Sequence, residues 1–87
     1  QKIDRPKRYK VVFYNDDFTP MDLVTLILIE VFNKGNQEAH SIMMKVHKAG
    51  KAIAGVYSKQ IAETKIATTT MYAREAGYPL HTETEPE

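Results

Sequence analysis

The chain has 87 residues, enough for one compact core and too few for a two-lobed enzyme with a cofactor fold between its lobes. With 43% apolar and 26% charged residues it has the composition of a folded globular protein and not of a disordered one. Twelve Lys and Arg against eleven Asp and Glu leave a net charge of +1, and there is no cysteine. That balance argues against a dedicated nucleic-acid binder, and the missing thiols exclude disulfides, a Cys nucleophile and Cys-based metal sites.

Residues 1–8 are polar, and Lys2, Arg5, Lys7, Arg8 and Lys10 against Asp4 put a charge of +4 in the first ten positions. With Pro6 and no apolar spacing they read as a mobile arm without an apolar run of signal-peptide type. Residues 9–15 (YKVVFYN) are β-branched and aromatic and predict a strand buried on both faces. Thr19 then reads as a helix N-cap, with Pro20 at the first helical position and Asp22 in the first turn. This helix is expected to reach about Asn33, where Lys34-Gly35 supplies a stop. Its polar residues Asp22, Thr25, Glu30 and Asn33 share one narrow stripe and nearly everything else is apolar. Such a helix is covered on most sides or offers apolar surface to a partner. No apolar stretch is long enough to span a bilayer.

Asn36 reads as the cap of a second helix over residues 37–49, ended by Gly50. Ala39, Ile42, Met43, Val46 and His47 form its amphipathic stripe. Residues 51–57 (KAIAGVY) predict a second strand, in which Gly55 marks a bulge or a close backbone approach. Ser58 caps a third helix over 59–76, closed by Gly77 with Pro79 beyond, and weakened by Thr68-Thr69-Thr70. Residues 80–84 add a short final strand, and the ending HTETEPE is acidic. The order β-α-α-β-α-β predicts an α+β two-layer domain, a small, mainly antiparallel sheet against three helices. One core spans residues 9–85, with 86–87 as a tail.

Asn15-Asp16-Asp17 is the most unusual spot: three short polar side chains where a buried strand turns into an apolar helix. Turn chemistry explains such residues equally well. His47 sits on an apolar stripe, where a lone His is more often a core group than a ligand. Taken together, Asn15, Asp16, Asp17 and His47 offer acceptors and negative charge, while Met21, Val24, Met43 and Val46 offer adaptable apolar surface. If the first two helices lie side by side, a polar rim covers an apolar cup. That suits a cationic head on a hydrophobic body, such as a free α-amino group followed by a large apolar side chain.

The runs NDDFTPM (15–21), MxxVH (43–47), KAIAGVYS (51–58), AETK (62–65) and AREAGYPL (73–80) resemble the ClpS family, adaptors of the bacterial N-end rule (N-degron) pathway. The resemblance implies that Asn15, Asp16 and His47 hold a substrate's α-amino group, with Asp17 in the same motif at the entrance. It implies a pocket of Thr19, Met21, Val24, Met43, Val46 and Leu80 for an N-terminal Leu, Phe, Tyr or Trp, with Met21 as a gate against β-branched side chains. Glu63 and Lys65 would dock on the N-terminal domain of the ClpA or ClpC unfoldase, which passes substrates to ClpP. Phe18, Gln60 and Met44 depart from the family's usual Tyr, Glu and Leu.

An enzyme would need a nucleophile that is not evident, and His40, His47 and His81 lack metal-ligand spacing. The expectation is a monomeric, non-catalytic adaptor with no cofactor or metal and no nucleic-acid or membrane partner. Its setting is the bacterial cytoplasm, or the plastid stroma for related forms. The alternative is a generic interaction module that binds a partner through an apolar groove.

Overall fold

β1 (Arg8–Tyr14) owes its run of apolar residues to its place as the middle strand of three. The structure, a computed structural model, describes residues 7–87; residues 1–6 of the expected arm lie outside that range. The sheet order is β2-β1-β3, with β2 at Lys51–Ser58 and β3 at His81–Pro86, and both pairings are antiparallel. Val11 and Phe13 are completely buried on the helix side of β1. Val12 points the other way and is also buried, among Lys10, Ile53 and Glu85. Burial on both faces, as the sequence predicts, therefore has a topological cause.

Both readings of Gly55 hold. Val11 faces Gly55 while Val12 faces Ile53, so the register slips by one residue and Ala54 is the bulged position. A Cβ on Gly55 would also stand 2.7 Å from the Tyr57 ring carbon Cε2, so a side chain there would push the Tyr57 ring aside.

The helices are α1 (Met21–Glu30), α2 (Asn36–Ala49) and α3 (Lys59–Glu75). Three helix boundaries differ from the sequence expectation. Thr19 does not cap α1: Pro20 takes the cap position with no side-chain cap bond, because the Thr19 hydroxyl is engaged by Asp16. The helix ends at Glu30 and not near Asn33; Asn33 itself takes the left-handed turn, with φ 56°. Asparagine tolerates that conformation better than most side chains. Gly35 is the cap of α2, with Asn36 its first residue. Elsewhere the expectation holds: Gly50 closes α2 at φ 90°, the Ser58 hydroxyl accepts from the Ile61 N–H at the start of α3, and Gly77 takes positive φ just past the α3 end.

The helices α2 and α3 pack on the sheet, and α1 lies against these two. Their core joins Phe13, Ile27, Leu28, Phe32, Met43 and Leu80, with Phe13 and Phe32 edge to face at 5.4 Å. The helix α3 survives its threonine run because Thr69 and Ala73 are buried against this core, and packing outweighs weak propensity. Lys65 on α3 reaches back to α1, donating from Nζ to the Val31 carbonyl at 2.7 Å and lying over the Phe32 and Tyr57 rings.

Candidate functional site

Where β1 ends, the chain leaves the sheet beside the C-terminus of α2. The Asn15 N–H donates to the Gly50 carbonyl at 2.9 Å, and His47 lies on the last turn of the same helix. One hydrogen bond thus brings the acidic loop next to the histidine, 32 residues later in the chain. The helices α1 and α2 pack against each other, so Met21 and Val24 face Met43 and Val46. Leu80, just before β3, closes the far side. These residues surround one pocket with Asn15, Asp16, Thr19 and His47 at its polar side.

The loop that carries this rim is held by its own aspartate. Asp16 Oδ1 accepts from the Phe18 N–H at 2.8 Å and the Thr19 N–H at 2.7 Å, and Oδ2 accepts from the Thr19 hydroxyl at 2.7 Å. Partial burial pushes the Asp16 carboxyl up, but hydrogen bonds from Thr19 and Phe18, aided by the Arg74 charge, outweigh it and hold the pKa below its usual value. One lone pair of Oδ2 remains for a further donor, since a carboxylate offers about four acceptor sites. The carboxylate is therefore both a clamp for the loop and a negative charge at the pocket mouth.

Beneath the rim the pocket is apolar. Val24, Met43, Val46 and Leu80 are buried, whereas Met21 is 43% exposed at the lip. Interior space is about 10 Å³, roughly one water molecule. His47 is exposed, so the core-histidine reading of the sequence does not apply. Among the described residues no hydrogen bond engages its ring, and a neutral imidazole has one acceptor nitrogen to offer a ligand.

Among the described residues no group of three or more His, Asp or Glu side chains is placed to hold a metal ion. No helix among the described residues is long and apolar enough to cross a membrane.

The profile of the family described as "ATP-dependent Clp protease adaptor protein ClpS" matches residues 4–83. The chain belongs to the ClpS family. A ClpS adapter protein of Lawsonia intracellularis is 51% identical over 80 residues, which span 92% of this chain and 73% of that protein. One of Paraburkholderia phymatum is 49% identical over the same share of this chain and 77% of its own. The solved structure of Agrobacterium tumefaciens ClpS2 bound to L-phenylalaninamide has a TM-score of 0.92 at 44% identity, and covers 95% of this chain and all of that one. The three-helix, three-strand α+β architecture is thus the ClpS fold, and ClpS proteins are adaptors of the Clp protease.

Within this ClpS chain, nine of the residues singled out from sequence line one pocket: Asn15, Asp16, Thr19, Met21, Val24, Met43, Val46, His47 and Leu80. Asp17 lies beside it, exposed on the loop and outside the lining. Glu63 and Lys65 are not brought together. Two residues apart on a helix, they flank α3 on opposite sides: Glu63 is exposed toward β3, and Lys65 is half-buried toward α1.

Two contributors were missed. Tyr14, the last residue of β1, also lines the pocket, and its place directly before Asn15 was the available signal. Arg74 donates through one guanidinium nitrogen to the Tyr78 carbonyl at 2.8 Å and the Leu80 carbonyl at 3.1 Å. It thereby sets the turn that presents Leu80, and its charge also acts on Asp16. Nothing local in the sequence marks that role, because the bonds close only after α3 turns back to the sheet.

Proposed function

We propose that this ClpS protein binds N-degron substrates by a free α-amino group and a large hydrophobic first residue, Leu, Phe, Tyr or Trp, and hands them to a Clp unfoldase. The observation that carries this reading is one pocket with a rim of acceptors above an apolar cup. Asn15, the spare Oδ2 lone pair of Asp16, and His47 receive the ammonium protons. Asp17, close by on the loop, adds negative charge at the entrance. An ammonium leaving water costs several kcal/mol unless its donors are matched, so the rim has to be set in advance, as the Asp16 clamp sets it.

The first side chain supplies the rest. Burying a Leu or Phe contributes about 1.5–3 kcal/mol. It enters by moving Met21 and Met43, whose unbranched thioethers change rotamer easily. A β-branched side chain is wider at Cβ and meets Met21 at the lip. The relative whose structure is most instructive, ClpS2, is described as bound to L-phenylalaninamide, a molecule with a free amine and a benzyl side chain. That ligand matches the chemistry argued for this pocket.

Delivery rests on the family's adaptor role. The N-terminal domain of ClpA or ClpC is assigned to the outer surface of α3, with Glu63 as the exposed charge and Lys65 as a buttress of that surface. Degradation follows in ClpP. A reconstituted assay tests this directly, with fluorescent reporters that begin with Phe or Ser and with ClpA and ClpP. Adding this protein is expected to accelerate loss of the Phe reporter alone; equal loss of both reporters contradicts the proposal.

A further inference from the structure

The helix α1 is apolar almost all round, and the pocket uses only part of it. Val24, Ile27 and Leu28 face the core, while Leu26 is 41% exposed. Leu26 and Ile29 from α1 and Met44 from α2 line a second depression of about 460 Å³, with the exposed Asp22 and His40 at its sides. Met21 and Met43 belong to both depressions. The groove therefore adjoins the pocket across Met21 and Met43, and a chain leaving the pocket over these residues would enter it.

We propose that this groove binds the third to fifth residues of the substrate and favours apolar side chains there, an inference that rests on the N-degron reading above. Length fits: Met21 to Ile29 rises about 12 Å along the helix, the span of three to four extended residues. Asp22 accepts from peptide N–H groups along one side, and Leu26, Ile29 and Met44 cover an apolar side chain. Tethering also favours this occupant. Once the first residue is held, the following residues sit at millimolar effective concentration over the groove. A shallow apolar patch that would hold a free partner weakly can then add to affinity. The apolar character of α1, unexplained by the pocket alone, gains a role.

The test is isothermal titration of L-phenylalaninamide and of two Phe-initiated octapeptides, one with Leu and one with Ser at positions three to five. On the unmodified protein the Leu peptide is expected to bind about tenfold tighter than the Ser peptide, the effect of partial burial of one or two Leu side chains. In Leu26→Asp, and independently in Met44→Gln, that ratio is expected to fall below about twofold while L-phenylalaninamide binds unchanged. Equal binding of the two octapeptides to the unmodified protein, or a ratio that survives both substitutions, overturns the proposal. So does self-association that Leu26→Asp abolishes while the peptide ratio stays intact, which would make the groove a contact between copies. Loss of L-phenylalaninamide binding by the unmodified protein would instead remove the N-degron reading, and the groove proposal with it.

Discussion

Asp16 and Thr19 hold each other twice: the Thr19 N–H donates to Oδ1 and its hydroxyl to Oδ2, both at 2.7 Å. The sequence suggests Thr19 as the helix cap, and the structure turns the pair around, with the aspartate ordering the threonine. This closed loop keeps Asn15 and Asp16 facing His47 before any ligand arrives, and such preorganisation lowers the ordering cost of binding.

Removing the hydroxyl should therefore weaken the site through the loop that Asp16 holds. Thr19→Val is expected to lower stability by about 1.5 kcal/mol, one hydrogen bond to a charged group being lost, and, by loosening the loop before binding, to reduce affinity for a Phe-initiated peptide about three- to tenfold. The loop also has a characteristic pH response. A carboxyl held below its unfolded pKa adds stability that is complete above the unfolded value and disappears as pH falls through the folded one. The pH midpoint of the Phe18 and Thr19 amide shifts in NMR is thus expected to lie below the ordinary aspartate value. A midpoint at or above the ordinary aspartate value would contradict the clamp.

Arg74 supports the opposite wall. Arg74→Met removes both carbonyl contacts at the turn before Leu80 and a positive charge that acts on Asp16. Affinity for a Phe-initiated peptide is expected to fall, and the Phe18 and Thr19 amide titration to move to higher pH. Weaker binding without that movement would separate the packing role from the electrostatic one and show that the two are not coupled.

The two α3 residues assigned to unfoldase docking should behave differently from each other. Lys65→Met breaks the bond to the Val31 carbonyl and the contacts over Phe32 and Tyr57. It is expected to cost about 1.5–3 kcal/mol of stability in denaturant titration and to spare peptide binding. Glu63→Lys, at an exposed position, is expected to leave stability within about 0.5 kcal/mol while weakening binding to the ClpA N-terminal domain. If Glu63→Lys binds that domain normally, the docking surface lies elsewhere.

Much of this was legible because it is local. The β1 run, the Gly55 bulge, the Ser58 cap and the Gly50 stop each follow from a few adjacent residues, and the structure contains all four. The pocket members were legible through helical spacing and through resemblance to ClpS. The rest depends on contacts across the chain. Asp16 takes the hydroxyl that would have capped α1. Asn33 stops that helix before its apolar pattern ends. Lys65 is held by α1, 34 positions earlier. Glu63 and Lys65 are paired as one surface only through the resemblance to ClpS; their i, i+2 spacing already puts them on two sides of α3.

Recognition of a free amine above an apolar pocket is the center of the account, and one comparison addresses it. A fluorescent peptide beginning with Phe is titrated by anisotropy with its N-terminus free and, separately, acetylated. Acetylation removes the charge and two of the donors that Asn15, Asp16 and His47 would receive, so the blocked peptide is expected to bind about a hundredfold more weakly or worse. Equal affinity for the two peptides would contradict the account, and would leave the pocket as a plain hydrophobic contact.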